Sequence, residues 1–163
     1  MADQDMFLKL EGKVSGAIKG ESQDGKHKDE IDVLSWSWGM TARTTLGGGG
    51  LASKAQLSEL NICKRVDSAS TPLMSALRNN EQIKKGVLTV RKSGKTQHEY
   101  LKITIEKGRV TSLNVRSGEG ESPAELWEDV SFTFQSIAVE YVPQGADGQP
   151  RGGMQFETEI VVD

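Results

Sequence analysis

The stretch HKDEIDVLSWSWGM, residues 27–40, carries two of the chain's three tryptophans, Trp36 and Trp38. In a strand, side chains alternate between faces, so Leu34, Trp36, Trp38 and Met40 share one side while Ser35, Ser37 and Gly39 share the other. The large side chains are expected to fill the interior of a β fold. The small ones leave a face that another surface can approach closely.

The same two-residue period recurs outward from this stretch. Met6, Leu8 and Leu10 share one parity, as do Leu101, Ile103 and Ile105, then Val130, Phe132 and Phe134, and finally Phe156, Ile160 and Val162; each set reads as a half-buried strand. Between Glu128 and Val142 the apolar parity switches from Val130, Phe132 and Phe134 to Ile137, Val139 and Tyr141. A switch near Ser136 predicts a bulge or a corner where the chain passes between sheets. One helix is signalled in DSASTPLMSALRNNEQIKKG. There Ser70 or Thr71 is placed to cap, Pro72 fits the first turn, Leu73, Met74, Ala76 and Leu77 form an apolar stripe, and Gly86 follows the end. Residues 41–54, 117–124 and 143–153 read as long loops. The expected fold is mainly β: a small β-barrel of two packed antiparallel sheets with one flanking α-helix, in a single domain spanning residues 1–163.

Composition sets limits on function. With 163 residues the chain is long enough for one core. A net charge of −3 is the wrong sign for a general nucleic-acid binder, and no apolar run approaches a membrane span. The opening MADQDMFLKL lacks the basic and apolar regions of a secretory signal, so a cytoplasmic start is expected. Cys63 is the only cysteine, which excludes an internal disulfide; it is expected to be a small buried side chain.

Several local patterns resemble chemistry without completing it. SGKTQ, residues 93–97, contains the GKT of a phosphate loop, but Thr89 stands where that loop needs its first glycine. The flanking VLTVRK and HEYLKITIEKG make it a hairpin turn. His27 and His98 lie in no nucleophile or metal pattern and are expected to be solvated. The acidic residues Glu119, Glu121, Glu125, Glu128 and Asp129 fit no calcium loop and read as a solvated face. Phe7, Trp36, Trp38 and Tyr100 are a conceivable sugar platform, although aromatics in alternating strands are more often core. No nucleophile, base or metal constellation is present, so no enzyme, metal or cofactor is expected.

The order of DMFLKLEG, IKGES, HKDEIDVLSWSWGM, the GGGG loop, LTVRK, YLKITI, VTSL, VSFTF and VEYVPQGADG resembles the haemolysin-coregulated proteins (Hcp) of type VI secretion systems over nearly the whole chain. Its most specific parts are IKGES, residues 18–22, and EIDVLSWSWG, residues 30–39. The resemblance implies a β-barrel subunit that forms homohexameric rings, stacked into the inner tube of a contractile machine. It implies sheath, spike and baseplate proteins as partners, small effector proteins carried in the lumen, and export without a signal peptide; neither nucleic acid nor membrane insertion is implied. The glycine-rich loop at residues 41–54 is expected to project and contact a neighbouring subunit or ring. Leu46 and Leu51 would anchor it around Gly47, Gly48, Gly49 and Gly50, while Arg43 and Lys54 seek acidic partners. A monomeric barrel that binds a sugar or peptide is the other reading.

Overall fold

In the computed structural model, the residues described are 4–42, 55–92, 97–118, 124–144 and 152–160. Among them are eleven strands, β1 (Gln4–Gly12), β2 (Gly16–Ile18), β3 (Ile31–Ser37), β4 (Met40–Thr41), β5 (Gln56–Leu57), β6 (Leu60–Arg65), β7 (Ile83–Lys92), β8 (His98–Ser117), β9 (Leu126–Thr133), β10 (Ser136–Tyr141) and β11 (Met154–Glu159), and the helix α1 (Ser70–Arg78). The strands β8, β7, β1, β3, β6 and β9 follow one another edge to edge, and β9 pairs back onto β8, closing an antiparallel barrel. This is the mainly β architecture with a flanking helix that alternation predicts.

The barrel closes because two strands each serve two neighbours along one edge. On β1, Phe7 and Leu8 pair with β3, whereas Leu10 to Gly12 pair with β2. On the twenty-residue β8, Leu101 to Glu106 pair with β10, whereas Arg109 to Ser117 pair with β9. The result is a barrel with two wings, one formed by β2 and the other by the β10–β11 hairpin. The corner predicted near Ser136 is present: β9 ends at Thr133, β10 begins at Ser136, and the two lie in different parts of the sheet.

Leu8, Leu10, Ile31, Leu60, Leu88, Ile103, Ile105, Val130 and Phe132 form the buried centre. The tryptophan stretch behaves differently from a uniform strand. Its register shifts between Val33 and Ser35, so Ile31 and Val33 are buried before this bulge and the even-numbered tryptophans turn toward the core after it. Trp36 and Trp38 pack against the core but stay half-buried, and Met40 is exposed.

The helix also departs from expectation at both ends. Neither Ser70 nor Thr71 caps; the Asp67 side chain accepts from the backbone N–H of Ala69 at 2.9 Å instead. At the other end Asn80 takes φ 55°, with Asn80 N–H bonded to Leu77 O and Glu81 N–H to Ala76 O, the paired bonds of a left-handed stop. Gly86 does not end the helix. It lies inside β7, where an added Cβ would sit 2.9 Å from Leu10 and 3.1 Å from Ile105.

Candidate assembly interface

Some of the charged groups expected in solvent lie instead in buried networks. Strand β9 alternates Glu128, Val130 and Phe132 inward, and β6 alternates Leu60, Ile62 and Lys64 inward, so Glu128 and Lys64 meet as a cross-strand pair with neither side chain exposed. Lys64 Nζ stands 3.2 Å from Glu128 and donates to Asp67, Ser70 Oγ and the Arg65 carbonyl at 2.9 to 3.1 Å. Glu128 is thus not part of a solvated acidic face. Glu125 instead pairs with Arg65 and Asp129 with Arg116, while Glu119 and Glu121 lie outside the described residues. No group of three or more potential metal ligands occurs among the described residues.

Both histidines are buried, His27 within a second network. Residues 19–30 cross the outer face of β1 as a strap, and His27 is buried with Nδ1 2.9 Å from Glu30 and Nε2 2.6 Å from Glu99. Its ring stacks on that of Phe7 at 4.5 Å, and the buried Arg91 lies over the Phe7 ring at 4.9 Å. His98 is buried too, 2.7 Å from the Val142 carbonyl oxygen. Phe7 therefore belongs to a cluster separate from that of Trp36 and Trp38, and the four aromatics do not gather into a sugar platform. The glycine of IKGES has a steric reason: a Cβ on Gly20 would lie 2.7 Å from both Glu30 O and Ile31 Cα, where the strap folds back.

Arg91 fastens the strap by donating to Asp24 and Asp5. That hydrogen bonding holds the Asp24 carboxyl at a pKa of about 2, below its ordinary 3.8. Because the folded value is the lower one, the contact stabilises fully above the unfolded value and is lost as pH falls from about 4 through 2. Because solvent screens this partly exposed pair, Asp24→Asn is expected to lose about 1 kcal/mol at pH 7 and much less at pH 2. Urea melts of both proteins at the two pH values check this; an equal difference at both would count against it.

Cys63 is half-buried, not fully buried as expected, and burial followed by the neighbouring Asp129 pushes its thiol pKa up. A raised thiol pKa disfavours nucleophilic chemistry.

Two exposed surfaces are the functional candidates. The first is the β10–β11 wing. Val139 lies opposite Ile103 and Phe156, and Tyr141 lies opposite Leu101 and Met154, so the buried apolar face of β8 continues onto the wing. There Tyr141 and Phe156 are each 45% exposed and Met154 67%. The second is the outer face of β3, β6 and β9, where Ser37, Asn61 and Ser131 form a ladder: Ser131 Oγ lies 2.6 Å from Asn61 Oδ1, and Asn61 Nδ2 donates to Ser37 at 3.4 Å. The wing escaped sequence reading, although its odd-numbered β10 parity was visible.

The anticipated loop residues Arg43, Leu46, Gly47, Gly48, Gly49, Gly50, Leu51 and Lys54 lie outside the described residues. Their two flanks do come together, since Met40 pairs with Leu57 and Thr41 with Gln56 in the β4–β5 ribbon. The GKT residues 93–96 are likewise outside the described set, but Lys92 pairs with His98 on either side, as a hairpin requires.

The closed antiparallel barrel with one flanking helix is an architecture that a family of known proteins matches along most of this chain. The family described as type VI secretion system effector, Hcp, matches residues 7–141. The chain is 40% identical over 152 residues to Protein hcp1 of Pseudomonas aeruginosa, covering 91% of this chain and 90% of that one. Among solved structures, Hcp1 from Salmonella typhimurium superposes with a TM-score of 0.76 at 30% identity, over 97% and 95% of the two chains. A type VI secretion system effector from Yersinia pestis gives 0.75 at 28% identity, over 96% and 100%. The chain belongs to the Hcp family of type VI secretion proteins.

Proposed function

We propose that this chain is a ring-forming subunit of the type VI inner tube, acting by assembly and not by catalysis. Six copies close a ring, rings stack, and the assembly leaves the cytoplasm through the contractile machine with small effector proteins in its lumen. Sheath, spike and baseplate proteins are its partners in that role. The observation that carries the reading is the apolar wing: Tyr141, Met154 and Phe156 extend a core surface into solvent at a sheet edge that no other described strand covers. Uncovered, such an edge invites association without limit, whereas a closing ring covers it. The ladder of Ser37, Asn61 and Ser131 offers small polar side chains suited to lining a lumen, and residues 41–54 remain the candidate for contacts between stacked rings.

The test is native mass at tens of micromolar. Wild type is expected at six times its 17.7 kDa subunit mass. Phe156→Glu should keep the subunit's melting behaviour, because the side chain is half exposed, yet shift the population to smaller species and reduce export. A wild-type monomer under these conditions would overturn the proposal and favour a monomeric binding module.

A further inference from the structure

Head-to-tail closure needs two different complementary patches on each subunit, and the charge pattern of the outer sheet supplies a pair. One face runs continuously from β2 through β1, β7, β8 and β10 to β11. A single cross-strand row on it reads Lys9, Val87, Thr104, Ala138, Glu157, and the next reads Glu11, Lys85, Glu106, Ser136, Glu159. At the β2 end, Lys9, Lys19, Lys26 and Lys28 line a cleft between β1, β2 and the strap. The acidic groups in the same cleft are mostly engaged: Glu30 is held by His27 and Glu11 faces Lys84, leaving Asp29 against four ammonium groups. At the other end, the exposed Glu157 and Glu159 flank small residues with Glu106, along an edge strand that has no further strand partner among the described residues.

Four inter-strand gaps separate Lys9 from Glu157, about 19 Å at the usual strand spacing, so the two charges do not meet within one subunit. Pairing of two β11 edges with each other would set Glu157 and Glu159 of both copies close together, an arrangement that like charges penalise. A lysine-lined cleft removes that penalty. We propose that the charged face of β11 in one copy seats in the Lys9, Lys19, Lys26 and Lys28 cleft of the next copy, so that charge directs association head to tail. This rests on the ring reading above and adds the surface that receives the charged face of the wing, opposite the apolar face of Tyr141, Met154 and Phe156.

The experiment uses two charge-reversal variants, Glu157→Lys with Glu159→Lys, and Lys19→Glu with Lys28→Glu. All four positions are exposed, so subunit melting should stay at the wild-type value. Measured by native mass against concentration in 0.1 M salt, each variant alone should need at least tenfold more protein than wild type to reach half assembly. An equimolar mixture of the two should recover mixed rings in which contacts of reversed and of wild-type polarity alternate. Wild type should also weaken in 1 M salt, where the screening length falls to about 3 Å. Variants that assemble at the wild-type concentration, or a mixture that recovers nothing, would overturn this contact while hexameric wild type leaves the ring intact. Monomeric wild type would overturn both.

Discussion

Replacing Lys64 by alanine is expected to cost about 3–5 kcal/mol of folding free energy, because it strands a fully buried carboxylate. Lys64 and Glu128 both have fully buried side chains at the end of the core beside the start of α1. Apart from the facing ammonium, neither carboxylate oxygen of Glu128 has a hydrogen-bond partner among the described residues. Asp67 would survive the substitution better, since it also accepts from the Ala69 N–H and is slightly exposed. The penalty should thus fall on Glu128. Urea unfolding of Lys64→Ala, Glu128→Leu and Lys64→Met with Glu128→Leu separates the terms. The double apolar variant should recover most of the lost stability, because removing both charges removes their desolvation as well. A Lys64→Ala protein within 1 kcal/mol of wild type would show that solvent or a rearranged partner reaches Glu128.

That pair also shows where sequence reading stops. Two-residue alternation placed Leu8, Leu10, Ile103, Ile105, Val130 and Phe132 inside correctly, because apolar burial is a local signal repeated along each strand. The corner near Ser136 was legible for the same reason. Glu128 sits on the parity of Val130 and Phe132, and Lys64 on that of Leu60 and Ile62, so position alone pointed inward. Chemistry alone pointed outward. What reconciles them is the pairing of β6 with β9, a contact between residues some sixty positions apart that no local pattern encodes. The burial of His27 has a similar origin, since Glu99 and Phe7 reach it from distant strands. The tryptophan bulge was hidden for a different reason: a one-residue register shift leaves the alternation on either side intact and merely exchanges which parity is inside. The exposed apolar wing was the least legible part. The apolar residues of β11 read as half-buried, and only the fold shows that no described element covers them.

The bend of β8 gives the second large effect. Lys107 takes φ 53°, and at the next position a Cβ on Gly108 would lie 2.4 Å from the Thr133 carbonyl oxygen. The obstacle is backbone, so no side-chain rotation relieves it. Either β8 or the end of β9 must move, yet both are held: Arg109 is in register with Thr133, Ser136 with Glu106, and Gln135 N–H donates to Glu106 O at 3.1 Å. Gly108→Ala is therefore expected to exceed the usual overpacking cost and lose about 3 kcal/mol or more, a fall in Tm of roughly 6–12 °C for a chain of this length. Lys107→Gly is the control, since its left-handed φ favours glycine; it should change stability by less than about 1 kcal/mol. Equal losses from the two substitutions would assign the effect to chain flexibility and not to contact. The corner is also the hinge of the β10–β11 wing, because β10 leaves β8 at Glu106. Any Gly108→Ala protein that does fold must do so with that hinge displaced, so, on the ring assembly proposed above, native mass should show weakened rings even at temperatures where the subunit is intact. A variant with lowered Tm and unchanged ring stability would separate the corner from assembly and place the ring contact away from the wing.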